Sequence, residues 1–359
     1  MNPLAAIGWR WTPATLPPAW AQALAAHPQA RPARIVEQHR SGYRVAEAPA
    51  QALPAESLPE WQRAGSYRAG ELAPEARPAV GDWVLVAGPP PRGLRIVALL
   101  PRQSAIKRAA AGEHYRQQVI AANIDTAFVV SGLDADFNPR RIERYLLLVG
   151  GGGVQPVVVL TKADRAATDP QAARAALAAC GAPVLAVNAK DRASVAALAP
   201  WLGPGQSVVL VGSSGAGKST LTNTLLGEEK MKTGAVRAGD GRGRHTTTHR
   251  ALLALPGGAC LIDTPGMREL KPTGEEDVAE GFADIEALAA QCRFRDCRHA
   301  QEPGCAVRAA VEEGRLDARR LDNWRKLQAE VAQAARLRGQ RQAEAAAPAR
   351  RRGPPAGRA

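Results

Sequence analysis

Three absences narrow the class of protein that this sequence of 359 residues can encode. No stretch approaches the roughly 18 apolar residues that a membrane-spanning helix needs. The first twenty residues contain three tryptophans and several prolines, but they lack the basic start, apolar run and cleavage site of a secretory signal. The cysteines number only five, an odd count that does not suit a disulfide framework. We therefore expect a cytoplasmic globular protein without a membrane segment, in which clustered cysteines bind a metal ion.

The charge of the chain is positive and is concentrated at its end. The formal net charge is +13, and residues 336–359 hold seven arginines and one glutamate. Because an Ala/Pro/Gly/Arg composition cannot bury a core, residues 338–359 are predicted to form a disordered basic tail. A positive balance favours a polyanionic partner such as nucleic acid, although a basic surface also serves solubility alone.

Short apolar runs separated by glycine and proline occupy residues 33–105. Several short strands without a helical period predict a small barrel. Such barrels commonly present one face to RNA, and the alternative is a barrel that only braces the next domain. Residues 1–32 are predicted to be a loosely ordered N-terminal arm, whose tryptophans can dock on the barrel.

Residues 106–280 alternate apolar strands with helices, a pattern that predicts a mostly parallel sheet covered on both faces. Ligands of such folds bind at the carboxyl ends of the strands. The predicted strands cover 123–131, 157–160 and 183–187, and the predicted helices cover 139–149 and 170–179.

A glycine-rich loop follows the apolar strand at 208–211. The segment 212–220 reads GSSGAGKST and fits the phosphate-binding pattern G-x-x-x-x-G-K-S. The N–H groups of such a loop turn toward the phosphates, at the positive end of the dipole of the next helix. Lys218 is predicted to bridge the outer phosphates and Ser219 to bind Mg²⁺. The predicted phosphate-binding residues are Gly212, Ser213, Ser214, Gly215, Ala216, Gly217, Lys218, Ser219 and Thr220.

A second strand ends in Thr161-Lys162-Ala163-Asp164, close to the Asn-Lys-x-Asp with which GTPases bind guanine. Asp164 is predicted to accept hydrogen bonds from the N1–H and exocyclic amine of guanine, contacts that adenine does not offer. Lys162 would lie along the ring plane, and the N–H of Ala189 would meet the guanine carbonyl oxygen. Thr161 and Asn188 stand in place of the usual Asn and Ser, and both retain hydrogen-bonding capacity. The predicted base-binding residues are Thr161, Lys162, Asp164, Asn188, Ala189 and Lys190.

A third strand ends in Asp-Thr-Pro-Gly at 263–266. Asp263 is predicted to orient the Mg²⁺ shell and Gly266 to offer its N–H to the γ-phosphate, while one of the threonines 246–248 completes the Mg²⁺ coordination. Met267 occupies the position of the glutamine that orients the attacking water in Ras-type enzymes, and a thioether cannot do this. Hydrolysis is therefore expected to be slow in the isolated protein and to need His245 or a group supplied by the partner.

Cys292, Cys297, His299 and Cys305 fall within fourteen positions. Three thiolates and one imidazole suit a closed tetrahedral Zn²⁺ site, which is structural because no coordination position remains for a substrate. Apolar residues then recur every three or four positions and predict an amphipathic helix over 317–337. We therefore expect residues 281–337 to form a helical zinc-binding module.

The motifs run in the order base reader, phosphate loop, switch threonines and Asp-x-x-Gly, whereas ordinary GTPases place the base reader last. With GRGRHTTTHR at 241–250, DTPGMREL at 263–270 and the Cys/His spacing, the sequence resembles the circularly permuted GTPases of the RsgA (YjeQ) family. The resemblance extends from about residue 33 to about residue 330. It implies a multidomain protein with an oligonucleotide-binding-type (OB-type) barrel at 33–105, a circularly permuted α/β P-loop GTPase domain at 106–280, and the zinc module.

The same resemblance implies an activity and a partner. It implies hydrolysis of GTP to GDP with Mg²⁺, in late assembly of the small (30S) ribosomal subunit, with nucleotide-dependent binding to 16S rRNA and stimulation by the subunit. It also selects Thr247 among the three threonines. The residues alone leave open a P-loop ATPase or small-molecule kinase with an RNA-binding barrel, and a nucleotide-gated RNA-binding module with negligible turnover. No feature of the chain demands more than a monomer.

Overall fold

The computed structural model describes residues 3–39, 42–58, 61, 76–90, 93–110, 113–135, 137–150, 152–229, 250–263, 282–294, 296–318, 320–322, 324–326, 328, 329, 332 and 336. Thirteen strands and seven α-helices have defined bounds within these ranges, and further helical residues lie between 318 and 336. None of the helices in them combines the length and hydrophobicity that crossing a bilayer requires.

Five N-terminal strands pair in a ring. They are β1 (Arg31–His39), β2 (Gly42–Ala46), β3 (Leu53–Ala55), β4 (Trp83–Ala87) and β5 (Arg95–Leu99). The strand β1 pairs antiparallel with β2 and with β4, β2 pairs with β3, and β4 pairs with β5. A parallel bridge between Glu56 and Arg95 completes the ring, with Glu56 N–H 2.9 Å from the Leu94 oxygen. This is the strand pairing that a small closed barrel requires.

A hairpin of β6 (Ala105–Ala110) and β7 (Glu113–Ala122) leads into an α/β region. Its strands are β8 (Thr126–Gly132), β9 (Gln155–Thr161), β10 (Val184–Ala186), β11 (Ser207–Val211), β12 (Arg250–Ala254) and β13 (Cys260–Asp263). Its helices are α2 (Pro139–Gly150), α3 (Pro170–Ala176), α4 (Arg192–Val195) and α5 (Lys218–Leu226). The first helix of the chain, α1 (Pro18–Ala26), precedes the ring.

The α/β strands lie in the order β10-β9-β8-β11-β13-β12. All neighbours are parallel except β12, which is antiparallel to β13. Every residue of β8 and β11 is buried, as strands covered on both faces require. The prediction of a mostly parallel sheet is confirmed.

The ring and the α/β sheet share backbone hydrogen bonds. The strand β12 pairs antiparallel with β1, with Ala251 opposite Glu37 and Arg250 opposite Gln38. The two parts therefore form one sheet of eleven strands. The predicted domain boundary lies at residue 105 of the chain. The strands before and after it are nevertheless joined by the pairing of β1 with β12.

The N-terminal arm differs from its prediction. Residues 3–7 form a 3-10 helix and α1 follows, with Trp20 fully buried. The Trp20 indole donates to the Pro101 oxygen at 2.7 Å, and the Trp9 ring meets Trp83 of β4 edge to face at 4.9 Å. Buried indoles contribute a large apolar area. The prediction of a loosely ordered arm is thus corrected for its described residues, because the tryptophans dock on the ring.

Arg34 of β1 holds the N-terminal arm by a hydrogen bond to its backbone. Its buried guanidinium donates to the carbonyl oxygens of Ile7 at 2.6 Å, Gly81 at 3.1 Å and Asn123 at 3.0 Å. It also lies 5.1 Å from the centre of the Trp83 ring. Burial lowers the pKa of Arg34, and the three carbonyl groups replace part of its hydration. One side chain therefore connects the arm, the ring and the end of the hairpin.

The C-terminal part is helical, as predicted. It contains α6 (Ala283–Ala289), α7 (Ala306–Glu312) and helical residues between 318 and 336. Phe282, Ile285, Val307 and Leu321 form a core that includes Leu147 of α2. The module therefore packs on the α/β region. Leu327, Val331, Ala335 and the predicted tail at 338–359 lie outside the described residues.

Candidate nucleotide site and candidate metal centre

The carboxyl ends of four parallel strands bring the predicted motifs to one edge of the sheet. Gly132 at the end of β8 lies opposite Thr161 at the end of β9, and Val211 of β11 lies beside Val129 of β8. On the other side of β11, Val209 pairs with Ile262 of β13. The segments 161–164 and 212–220 and the end of β13 at Asp263 therefore lie at neighbouring points of this edge.

The phosphate loop lies closely against the ends of β8 and β9. Gly212 has φ +143°, and a side chain there would collide with the Val130 carbonyl oxygen. Gly217 has φ +94°, and a Cβ would lie 3.0 Å from the Thr161 hydroxyl. Only glycine combines these conformations with so little space. At these two positions the loop backbone therefore packs directly against β8 and β9 without an intervening side chain.

Lys218 begins α5 and points back over the loop. Its ammonium group donates to the oxygens of Gly212 at 2.7 Å and Ser213 at 2.6 Å. The N–H groups of Ser214, Gly215 and Gly217 have no acceptor among the described residues. An ammonium group and several available N–H donors at the start of a helix can surround an anion.

Thr161 connects the base-reading strand to the phosphate loop. Its side chain is fully buried, and its hydroxyl donates to the Ala216 oxygen at 2.5 Å. Thr161, which stands where the common GTPase pattern has Asn, therefore makes a side-chain hydrogen bond to the phosphate loop. The backbone N–H of Leu133 in turn donates to the Thr161 oxygen at 2.9 Å.

A second hydroxyl joins the helix after the phosphate loop to the segment that contains Ala189. Thr224 of α5 donates from Oγ1 to the Ala189 oxygen at 2.6 Å. Thr224 is absent from the predicted site, although its place one helical turn beyond Thr220 indicates the same face of α5. The N–H of Ala189, predicted to meet guanine, has no acceptor among the described residues.

The base-reading turn presents Asp164 at the surface. Lys162 has a left-handed backbone with φ +61°, and the short 3-10 helix Ala163–Arg165 follows. The Asp164 carboxylate is 34% exposed and lies 3.4 Å from Arg165 Nε. The ammonium group of Lys162 forms an ion pair with Asp134, just beyond β8. Asp164 therefore keeps carboxylate oxygens accessible to a ligand.

The Asn-Ala-Lys segment is ordered by its own polar groups. The N–H of Asn188 donates to the Ser194 hydroxyl at 2.9 Å, and the Asn188 side-chain oxygen accepts from the N–H of Lys190 at 3.0 Å. These bonds fold the segment around Ala189. Asn188 and Lys190 thus shape the turn, and the contact predicted for a base is the backbone of Ala189.

Asp263 closes β13 beside the phosphate-loop strand. It pairs with Ala251 of β12 and is half-buried. A carboxylate at this point can reach a cation near the start of α5. The other predicted catalytic residues, His245, Thr247 and Gly266, and also Met267, lie outside the described residues, so their roles stay predictions.

The predicted metal ligands form a compact group. The ligand atoms of Cys292, Cys297, His299 and Cys305 all lie within 4.8 Å of one another. His299 Nδ1 is 3.5 Å from the sulfur of Cys292 and 3.4 Å from that of Cys305. All five cysteines are free thiols. The group can hold a metal ion, and its soft sulfur atoms suit Zn²⁺.

The group also contacts the start of α7 and two side chains of the C-terminal part. The sulfur of Cys305 accepts from the N–H of Arg308 at 3.4 Å, at the start of α7. Burial, with a smaller effect of Arg325, lowers the pKa of His299. Its ring lies 5.3 Å from that of Trp324. A neutral imidazole is the form that ligates metal.

Arg320 attaches the module to the α/β region. Its guanidinium makes two hydrogen bonds of 2.8 Å to Asp284 of α6 and lies 3.7 Å from Glu143 of α2. It also stacks over Phe282 at 4.7 Å. Burial opposes ionisation of Asp284, but the hydrogen bonds from Arg320 hold the pKa of that carboxyl below its usual value. This buried cation therefore contacts both α6 of the module and α2 of the α/β region.

Comparison with known proteins identifies relatives that match most of the chain. The family model described as RsgA GTPase matches residues 99–273. The small ribosomal subunit biogenesis GTPase RsgA of Xanthomonas axonopodis pv. citri (strain 306) is 67% identical over 335 residues, which cover 92% of this chain and 89% of the relative. The protein of the same name from Xanthomonas oryzae pv. oryzae (strain MAFF 311018) is 68% identical over the same shares.

Two solved structures share the fold. YloQ, described as a circularly permuted GTPase, superposes with a TM-score of 0.59 and 24% identity, over 86% of this chain and 96% of its own. YjeQ from Thermotoga maritima gives a TM-score of 0.61 and 22% identity, over 84% and 99% of the two chains. The strand arrangement is thus that of circularly permuted GTPases.

Proposed function

The chain belongs to the RsgA GTPase family, and we propose that it hydrolyses GTP as a late assembly factor of the small (30S) ribosomal subunit. The contact that carries this proposal is the 2.5 Å hydrogen bond from Thr161 to Ala216. It joins the segment proposed to bind guanine to the loop proposed to bind the phosphates, although the chain presents them in reversed order. Relatives named for small ribosomal subunit biogenesis supply the partner.

The nucleotide fits the geometry with its base at β9 and its phosphates at α5. Asp164 binds the N1–H and amine of guanine, Lys162 lies along the ring, and the N–H of Ala189 meets the carbonyl oxygen. The N–H groups of the loop and the ammonium group of Lys218 surround the β- and γ-phosphates. Selectivity for guanine follows because a base without these donors leaves the carboxylate unpaired.

The donor set near the phosphates fits Mg²⁺, which prefers hard oxygen ligands. Ser219 offers a hydroxyl at the start of α5, and Asp263 offers a carboxylate on the adjacent strand. Thr247 is the third residue proposed for this ion. The cation would supply charge compensation for the triphosphate when bound.

Hydrolysis depends on groups that stabilise the charge of the transferred phosphoryl group. Lys218 and the loop N–H groups do this directly, and Gly266 adds its N–H. Met267 cannot orient water, so either His245 or a group of the ribosomal subunit completes the site. Turnover of GTP would then depend on binding to the ribosomal subunit if the subunit supplies the missing group.

Zn²⁺ is the ion that we propose for the Cys/His group, with one ion per chain. The four ligand atoms already lie within 4.8 Å of one another, and none of them is left over for catalysis. The zinc module and an OB-type barrel formed by the ring of β1 to β5 are the proposed rRNA-binding parts. The protein would act as a cytoplasmic monomer without a membrane segment.

The pairing of β12 with β1 offers a connection between nucleotide and RNA binding. The strand β12 begins at Arg250, directly after the predicted switch threonines, and it pairs with Glu37 and Gln38 of the ring. Binding of GTP at the switch threonines would therefore affect β12, a strand that is hydrogen-bonded to β1 of the ring. Small-subunit affinity should be higher with a non-hydrolysable GTP analogue than with GDP.

Phosphate release by the full chain, with and without purified small subunits, tests the activity. We expect slow release alone and strong stimulation by small but not large subunits. Equal turnover of ATP and GTP would instead support an ATPase or kinase. Absence of turnover with subunits present would support a nucleotide-gated RNA-binding module. In addition, Asp164→Asn should shift the preference from guanine toward xanthine nucleotides.

A further inference from the structure

An acidic residue outside every predicted motif lies at the base-reading turn. Asp134 follows β8, and its carboxylate forms an ion pair with the Lys162 ammonium group, with the two side chains 36% and 31% exposed. Asp134 belongs to none of the nucleotide-binding motifs, and no role in phosphate binding has been assigned to its carboxylate. It contacts a residue that is proposed to touch the base.

Gly132 provides the space for this ion pair. A Cβ at Gly132 would lie 2.8 Å from Asp134 Oδ1 and 3.2 Å from Lys162 Nζ. The backbone of Gly132 is not left-handed, so glycine is not needed there for its conformation. A side chain at this position would push the Asp134 carboxylate and the Lys162 ammonium group away from their present places.

The segment that carries Asp134 is fixed to the base-reading turn. Gly132 lies opposite Thr161 in the sheet, and the N–H of Leu133 donates to the Thr161 oxygen at 2.9 Å. The N–H of Ala167 donates back to the Leu133 oxygen at 2.8 Å. Asp134 is thus held in constant register with the turn 161–168, as a positioning group must be.

We propose that Asp134 is a positioning residue for guanine, acting through Lys162. A lysine side chain loses much rotamer freedom when it lies along a base, and a carboxylate that holds its ammonium group beforehand removes part of that cost from binding. The pair also restrains the left-handed backbone of Lys162, which directs the next turn and with it Asp164. This inference rests on the proposed guanine-binding function.

A double-mutant cycle on the full chain tests the proposal, with GDP affinity measured by calorimetry. Asp134→Asn keeps the shape and removes the charge, and it should weaken GDP binding about two- to tenfold, the effect of freeing one flexible side chain. Lys162→Met should weaken binding more. Because Asp134 acts through Lys162, adding Asp134→Asn to Lys162→Met should cause no further loss. Gly132→Ala should act in the same direction as Asp134→Asn.

Controls separate this role from a general loss of structure. Glu312→Gln removes another exposed ion pair, with Arg308 of α7, and should leave GDP affinity unchanged. Thermal unfolding of nucleotide-free Asp134→Asn should match that of the wild type, and Asp134→Glu should recover part of the affinity. Unchanged or tighter GDP binding by Asp134→Asn, or additive losses in the double mutant, would overturn the proposal. Failure of the wild type to prefer guanine would instead refute the proposed function itself.

Discussion

The nucleotide site and the Cys/His group are built in opposite ways. Thr161 and Ala216, which meet in the nucleotide site, are 55 residues apart in the chain, and parallel strand register brings them together. The four metal ligands fall within fourteen positions, and the described residues between them contain no strand. The first site therefore depends on the sheet and tolerates a change in chain order. The second depends on local turns and on the ion that it can bind.

The two regions also differ in what their polar groups achieve. In the nucleotide site, hydroxyl groups of Thr161 and Thr224 bond to backbone oxygens and fix the geometry without a ligand. In the metal centre, thiol and imidazole groups face one another within 4.8 Å, an arrangement that an ion stabilises best. We expect the first region to keep its shape when empty and the second to lose it.

The largest expected effect is loss of the metal centre through Cys305→Ser. Binding of structural zinc contributes about 10–16 kcal/mol in small zinc modules, so the module should lose zinc and its ordered structure. GDP affinity should change by less than about twofold, because the sheet holds that site. Metal analysis, hydrogen exchange over 282–318 and GDP titration measure this. Cys180→Ser is the matched control, since its half-buried thiol lies outside the group. Joint loss of zinc and GDP binding would show that the two regions are not independent.

The reverse experiment is Lys218→Ala in the nucleotide site. Removal of a charge that stabilises the transferred phosphoryl group should slow subunit-stimulated hydrolysis on the order of a hundredfold or more. The zinc content should stay at one ion per chain. Lys107→Ala, which removes an exposed ammonium group from β6, should retain activity. A parallel loss of zinc would contradict the separation of the regions.

Sequence patterns predicted the local features of both regions better than their connections. Apolar strands and helices in alternation indicated the parallel sheet, and the Cys/His spacing indicated a group that can hold metal. The sequence indicated that the tryptophans of the arm can dock on the barrel, but it did not identify Pro101 as the partner of Trp20. Pairing of β12 with β1 escaped prediction, because the two strands are far apart in the chain. Asp134 was missed because it belongs to no motif and gains its meaning only from the register of β8 and β9.

Arg320→Met tests the connection between the regions. The change removes two hydrogen bonds to Asp284 and the charge near Glu143. We expect a loss of about 1–2 kcal/mol in the free energy of unfolding, because charged hydrogen bonds are strong but Asp284 is half exposed to water. Faster hydrogen exchange in α6 should accompany it. Arg315→Met removes an exposed pair with Glu313 and should cost less than about 0.5 kcal/mol. Equal effects of both variants would exclude a special role for Arg320.

The smallest effect is expected at Thr161, where one hydroxyl joins the two halves of the nucleotide site. Thr161→Val keeps the volume but leaves the Ala216 oxygen without its donor, at a cost of about 1 kcal/mol, or about fivefold in GDP affinity. Thr161→Ser keeps the hydroxyl and should bind GDP within about twofold of the wild type. Zinc content should not change in either variant. Wild-type GDP affinity in Thr161→Val would mean that strand register alone aligns the base-binding segment with the phosphate loop. The difference between this site and the metal centre would then be due to the sheet, and the hydroxyl hydrogen bonds would not contribute to it.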